Sequence, residues 1–160
     1  MGHILTESEL AAAVAADRAA GRTIAFANGC FDVLHVGHVR YLQGAAREAD
    51  RLIVAVNDDA AVERLKGPGR PVLPAADRAE LVAVLRVVDY VVVFPDETVA
   101  RLLEILKPDV HCKGTDYTTD SVPERETVRA YGGRVAIVGD AKEHSTTELL
   151  DRIAKKPNLP

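Results

Sequence analysis

Short, continuously apolar runs alternate along this chain with longer segments of helical period, and this alternation is the strongest constraint on its fold. Thr23–Ala27, Leu52–Val56, Tyr90–Phe94, Val110–Lys113 and Arg134–Val138 read as strands. Gly37–Ala49, Asp58–Leu65, Asp77–Val87, Glu97–Leu106, Val122–Tyr131 and Ser145–Ala154 read as helices. Ahead of the first strand, Thr6-Glu7-Ser8-Glu9 has the form of a capping box opening an Ala-rich helix that ends near Gly21. Lys66–Ala76, with three prolines and two glycines between helical segments, reads as the loosest stretch. A strand that is apolar throughout must be covered on both faces, and intervening helices supply the crossovers that parallel strands need. The expected fold is therefore α/β: a doubly wound five-stranded parallel sheet, Rossmann-like, in one domain over residues 1–160. Its N-terminal helix falls in residues 1–21 and its core in 22–154. In such sheets ligands bind outside the carboxyl ends of the strands, so those ends are the places to search.

Charge narrows the ligand. Twenty basic against 24 acidic side chains give a net charge of −4, so no global basic field exists to hold a nucleic-acid backbone. Any phosphate must be held by local groups. No apolar run approaches the ~20 residues of a membrane span, and no signal-peptide pattern opens the chain. Cys30 and Cys112 form no C-x-x-C pair and read as small buried thiols, which fits a reducing, cytoplasmic setting. Met1-Gly2-His3 carries no signal to this reading.

The first strand runs into Asn28-Gly29-Cys30-Phe31-Asp32-Val33-Leu34-His35-Val36-Gly37-His38. Two histidines three apart share one face of the helix that begins there. The open N–H groups and dipole of a helix N-terminus favour an anion, imidazole N–H donors can add to them, and Gly37 permits close backbone approach. A pair of structural histidines and a zinc pair are the competing readings. Neither accounts for the whole string at a strand's carboxyl end, and no Cys or acidic partner has a suggestive spacing.

This string resembles the H-x-G-H signature of the cytidylyltransferase-like nucleotidyltransferases. Leu65-Lys66-Gly67, Arg70-Pro71-Val72, Asp77-Arg78, Val88-Asp89, Lys113-Gly114-Thr115-Asp116-Tyr117 and Ser145-Thr146-Thr147 follow in that family's order, from about Arg22 to Ile153. Together they resemble the heptose 1-phosphate adenylyltransferases most, in a stand-alone form with no fused sugar kinase. Thr115 stands where that group often has glycine, and Val56-Asn57-Asp58-Asp59 where it often has V-N-S-D. Glycerol 3-phosphate cytidylyltransferases carry an arginine at the place of Asp140. The resemblance implies transfer of AMP from ATP to a sugar 1-phosphate, with Mg²⁺ on the nucleotide phosphates, no protein metal site, and a homodimer. A cytidylyltransferase acting on glycerol 3-phosphate or another small acceptor is the alternative, and a non-catalytic nucleotide-binding regulatory domain a third reading.

The same resemblance implies roles for individual residues. His35, His38 and Lys66 become catalytic. Asn28, Gly29, Cys30, Phe31, Gly37, Arg78, Lys113, Gly114, Asp116, Ser145, Thr146 and Thr147 become binding residues. Each has a plainer reading: Lys66 as a solvated charge, Arg78 in a surface salt bridge, Ser145 as an N-cap. Arg78 near a helix start opposes the dipole, which hints at an anionic partner. Glu124, Arg125 and Arg129 read as a solvated helix face. Asp77–Tyr90 carries a wide apolar face, in keeping with a dimer.

Overall fold

The computed structural model of the protein describes residues 1–140 and 146–155, excepting the side chains of Thr147 and Glu148. Strand β1 (His3–Ile4) leads to helix α1 (Glu7–Ala19), which opens on the expected capping box: Glu9 N–H donates to Thr6 Oγ1 at 3.3 Å, and Thr6 N–H to Glu9 at 2.8 Å. Then follow β2 (Ile24–Gly29), α2 (Val36–Ala45), β3 (Arg51–Asn57), α3 (Asp59–Lys66) and α4 (Ala75–Ala83). The chain continues through β4 (Tyr90–Phe94), α5 (Ala100–Leu106), β5 (Val110–Lys113), α6 (Arg125–Ala130), β6 (Arg134–Ile137) and α7 (Thr146–Ala154). All strand pairs are parallel, in the order β1-β4-β3-β2-β5-β6.

The sheet has six strands, one more than expected. β1 is two residues long, too short for a periodic signal, and it is fixed by its surroundings. Gly2 N–H donates to Ala83 O at 2.7 Å and His3 N–H to Asp89 O at 2.8 Å. A side chain at Gly2 would meet Val88 O at 2.9 Å, so only glycine fits that approach.

Alternation along each strand divides the core. Ala25, Ala27, Leu52, Val54 and Val56 pack with Leu42 and Ala45 of α2 and with Ala79, Val82 and Ala83 of α4. Ile24, Phe26, Ile53, Ala55, Val92 and Phe94 pack with Leu10 and Val14 of α1, Leu102, Leu103 and Leu106 of α5, and Val128 of α6. Both faces are thus covered, which is why the strands read as unbroken apolar runs. From β2 the chain winds outward through β3 and β4, then crosses to the other side of β2 for β5 and β6. The direction reverses between β2 and β5, and the carboxyl ends of those two strands flank the crevice where ligands bind in open α/β sheets.

Candidate active site

β2 runs two residues further than expected, so Asn28 and Gly29 are strand residues paired with Ala55 and Val56. The chain then turns sharply. Phe31 adopts φ 47°, an uncommon conformation for a bulky residue, and its ring folds back into the core. A Cβ at Gly29 would stand 3.2 Å from that ring, so the glycine makes room for the fold-back. Phe31 packs against His38, ring centroids 5.3 Å apart. The Phe31 side chain is thus the buried floor beneath a histidine, so only its backbone is placed for the ligand contact expected of it.

His35 caps α2 and His38 lies one turn in. Their rings stack at 3.9 Å with 28° between planes. His35 N–H points at His38 Nδ1 at 3.4 Å, which makes Nδ1 the acceptor and leaves the proton of the neutral ring on Nε2. Burial, with the His35 ring beside it, lowers His38 to about 4. At neutral pH His38 is an N–H donor without charge. Gly37 sits between them in the first turn, where backbone N–H groups lack intrahelical acceptors.

Asp32 is the residue that the motif reading missed. Its buried carboxylate accepts Arg70 Nε–H at 2.5 Å, Val72 N–H at 2.7 Å and Leu73 N–H at 3.0 Å. It ties the loop between α3 and α4 to the histidine-bearing loop. Lys66 belongs to the last turn of α3, not to that loop, and is exposed and in no ion pair among the described residues. Its charge reaches Cys30, whose thiol is nevertheless pushed up by burial.

Arg78 does not serve as a surface phosphate ligand, contrary to expectation. It is 0% exposed, in the second turn of α4. Its guanidinium donates to Leu73 O (2.9 Å), Cys30 O (2.6 Å), Asn57 O (2.7 Å) and Asp59 Oδ1 (2.7 Å). Those acceptors lie at the carboxyl ends of β2 and β3, at the start of α3 and in the segment before α4, so Arg78 is a clamp that holds the site's walls together. Its placement in a helix is compensated by these carbonyls and one carboxylate, with no anionic ligand needed.

Across the switch point, Lys113 Nζ donates to Asn28 Oδ1 at 3.0 Å and lies 3.6 Å from Glu124 Oε2. It also stands 5.3 Å from the centre of the Tyr117 ring. His111, buried beside Phe26, reaches the same Asn28 oxygen at 3.3 Å. Burial lowers His111 to about 3 and pulls Lys113 below the usual lysine range, while Glu124 pulls Lys113 back up. Glu124 therefore does not belong to a solvated face. It is 6% exposed and paired with Lys113.

Gly114, Thr115 and Asp116 form the turn after β5, and Thr115 Oγ1 donates to Asp140 O at 2.7 Å. Asp140 also pairs with Arg40 of α2 at 2.9 Å. The chain after β6 thus leaves the carboxyl end of the sheet between α2 and the Gly114 turn. Thr146 opens α7 and is half-buried. Ser145 and the side chain of Thr147 lie outside the described residues. Among the described residues no three His, Cys, Asp or Glu side chains gather into a metal cage, and no helix is long and apolar enough to cross a membrane.

Known proteins share this arrangement. Bifunctional protein HldE of Alcanivorax borkumensis is 46% identical over 153 residues, covering 96% of this chain and 32% of that protein. Its counterpart in Geobacter sulfurreducens is 48% identical over 146 residues, covering 91% of this chain and 30% of that protein. The chain thus spans about a third of the length of these curated relatives. The crystal structure of the lipopolysaccharide core biosynthesis protein from Thermoplasma volcanium superposes with a TM-score of 0.66 at 24% identity, covering 76% of this chain and all of the other, and shares the fold. The sequence profile of the family described as Cytidylyltransferase-like matches residues 26–156. That match runs from within β2 past the end of α7 and takes in every element that forms the crevice, so the chain belongs to the cytidylyltransferase-like family of nucleotidyltransferases.

Proposed function

We propose that the chain transfers AMP from ATP to a sugar 1-phosphate, D-glycero-β-D-manno-heptose 1-phosphate, giving ADP-heptose and pyrophosphate. The observation that carries the reading is the stacked His35/His38 pair at the head of α2, with His38 held uncharged by burial, beside the switch point of the sheet. The motif set Asn28–Asp32, Leu65–Gly67, Arg70–Val72 and Lys113–Tyr117, which resembles the heptose 1-phosphate adenylyltransferases, supports the acceptor.

An ionised phosphate oxygen of the sugar phosphate attacks the α-phosphorus in line. The bond from that phosphorus to the bridging oxygen breaks, and pyrophosphate leaves. The nucleophile is already ionised at neutral pH, so catalysis is positioning and charge stabilisation. His35 and His38 donate N–H bonds to the bridging and pyrophosphate oxygens as charge grows there. Gly37 and its neighbours present backbone N–H groups, and Lys66 supplies a positive charge. Lys113, already balanced by Glu124, contributes a polar contact more than net charge. Mg²⁺ would enter as a companion of the triphosphate, since it usually keeps several waters and pairs with substrate phosphates. When bound there, Mg²⁺ offsets phosphate charge.

The test is pyrophosphate release with ATP, CTP, GTP and UTP against heptose 1-phosphate, glycerol 3-phosphate and other small phosphorylated acceptors. ATP with heptose 1-phosphate should give the highest specificity constant. A higher value for CTP with glycerol 3-phosphate would reject the acceptor and leave the family standing. No release with any pair would favour a regulatory nucleotide-binding domain.

A further inference from the structure

Glu124 has no part of its own in the transfer chemistry above, yet through the buried pair with Lys113 it governs a group that does face the crevice. Asn28 Oδ1 accepts from two donors at once, Lys113 Nζ at 3.0 Å and the His111 ring at 3.3 Å. Two donors on one oxygen fix which way round the carboxamide stands, so its NH₂ must point away from them. That NH₂ is not buried and donates to none of the described residues. It is therefore a donor held in place at the carboxyl end of β2, at the switch point, with no acceptor among the described residues. The orientation depends on Lys113, and Lys113 on Glu124. Glu124 Oε2 lies 3.6 Å from the ammonium, is buried, and makes no hydrogen bond. Its service is to keep a charge inside the protein beside Asn28. Without it a lone ammonium would sit desolvated, a costly arrangement that shifts toward the neutral amine.

We infer that Glu124 is a positioning residue for the acceptor: by holding Lys113 on Asn28 Oδ1, it sets the Asn28 NH₂ to donate to a phosphate oxygen of the sugar phosphate. The inference rests on the proposed nucleotidyl transfer to a sugar phosphate. Among the described residues, the groups set against Lys113 are Glu124 at the head of α6, Asn28 on β2, Tyr117 in the following turn, and His111 two residues back on β5. Tyr41, from α2 on the opposite face, bonds Cys112 O and senses Tyr117 and Glu124. His111 and Tyr41 stay neutral at working pH, so Glu124 is the charge that tunes Lys113.

Glu124→Gln keeps size and polarity and removes the charge. In full-length protein it should raise the KM for the sugar phosphate ~10-fold, the scale of one hydrogen bond to a charged group, with the KM for ATP moved less than twofold. The basic limb of the acceptor kcat/KM profile should also move to lower pH. Because the single variant leaves an unbalanced buried ammonium, a second arm compares Lys113→Gln with the double variant Lys113→Gln/Glu124→Gln. If Glu124 acts through Lys113, the two should have the same acceptor KM within twofold. A further rise in the double variant overturns the inference, as does an unchanged acceptor KM and pH profile in Glu124→Gln, or a parallel rise for ATP. An independent readout needs no turnover: the side-chain NH₂ resonances of Asn28, with inorganic phosphate as probe, should shift in the native protein and not in Glu124→Gln. Equal shifts in both overturn the inference. Failure of the native protein to use heptose 1-phosphate counts against the acceptor assignment alone, and the phosphate titration then decides the role of Glu124.

Discussion

His38 differs from a free histidine in one respect that decides its chemistry. With its titration lowered to about 4 by burial and by the His35 ring, it is an uncharged donor at neutral pH, the form in which the proposed reaction would use it. Loss of a preorganised donor aimed at developing negative charge costs ~3 kcal/mol in the transition state. His35→Ala and His38→Ala should each lower turnover ~10²-fold or more while the protein stays folded, as measured by steady-state pyrophosphate release and circular dichroism. Near-native turnover in both would remove them from the mechanism. The sign of the pH effect follows as well. His38 takes up a proton only as pH falls through about 4, so the acid limb that it controls lies there, well below the ordinary histidine value of 6.5. A limb centred near 6.5 that vanishes in His38→Ala would contradict the neutral-donor role.

At the scale of elements, two features can be measured apart from activity. The first is Asp32, which anchors residues 70–73 through Arg70, Val72 and Leu73. Asp32→Ala should raise hydrogen exchange at Val72 and Leu73 by at least ~10-fold, since each amide loses its buried acceptor. Unchanged exchange there would show that the loop is held by something else. The anchor also narrows where nucleotide should slow exchange, to Gly67–Gly69 next to Lys66. The second feature is His111 on β5, 0% exposed and lowered to about 3. Between that value and 6.5 the unfolded chain binds the proton and the folded chain does not, so stability rises with pH across the window and falls on acidification. The slope is ~1.4 kcal/mol per pH unit from this one group. Urea unfolding between pH 6.5 and 5, where carboxylates remain ionised, should show that slope reduced by about this much in His111→Gln. An equal slope in both proteins would refute it.

Elements also show which parts of the chain the sequence made legible. The central strands β2, β3 and β4 were readable because burial on both faces writes itself as a nearly unbroken apolar run, whereas β5 and edge strand β6 carry polar residues and showed a weaker version of it. Helix ends were harder. α4 stops at Ala83, four residues before the reading did, because Leu85 and Val88 stay in the core as a turn and keep the apolar spacing of a helix. α6 is shorter than its pattern for a similar reason, with Val122 and Tyr131 packed outside the helix. β1 was invisible because two residues have no period. In the crevice, the histidine string stood out as a string, while Asp32, Arg78 and Glu124 did not reveal their partners. Apart from Leu73, five residues before Arg78, their partners are 38 to 41, 19 to 48 and 11 residues away in sequence, brought close by the fold. A buried charge has the same letter as an exposed one, and only the fold tells them apart.

For the molecule as a whole, the same α4 region presents apolar side chains to solvent. Leu81 is 41% and Val84 55% exposed on α4 and its end, and Ile4 of edge strand β1 is also exposed. β1 pairs with β4 beside α4, so these groups come from neighbouring elements. A symmetric homodimer that covers this face is the expected assembly, because self-complementary apolar patches favour a twofold pair. Sedimentation at tens of micromolar, an order-of-magnitude choice suited to weak association, should give twice the chain mass, and Val84→Asp should halve it. A monomer in the unmodified protein would refute the assembly.

The stack of two imidazole rings 3.9 Å apart has a consequence for how the molecule meets its substrate in a cell. Two imidazolium ions at that spacing would repel each other, whereas His38, held uncharged by burial, can rest against the His35 ring. In the proposed reaction, oriented dipoles then hold the triphosphate beside the single charge of Lys66, and ionic strength hardly weakens dipoles at contact distance. The chain's net charge of −4 already disfavours the approach of an anion from afar, and at ~0.15 M salt that field is lost beyond ~8 Å. Nucleotide capture by this protein should accordingly vary little with salt across the physiological range, unlike sites that draw phosphates in with clusters of unpaired lysine and arginine.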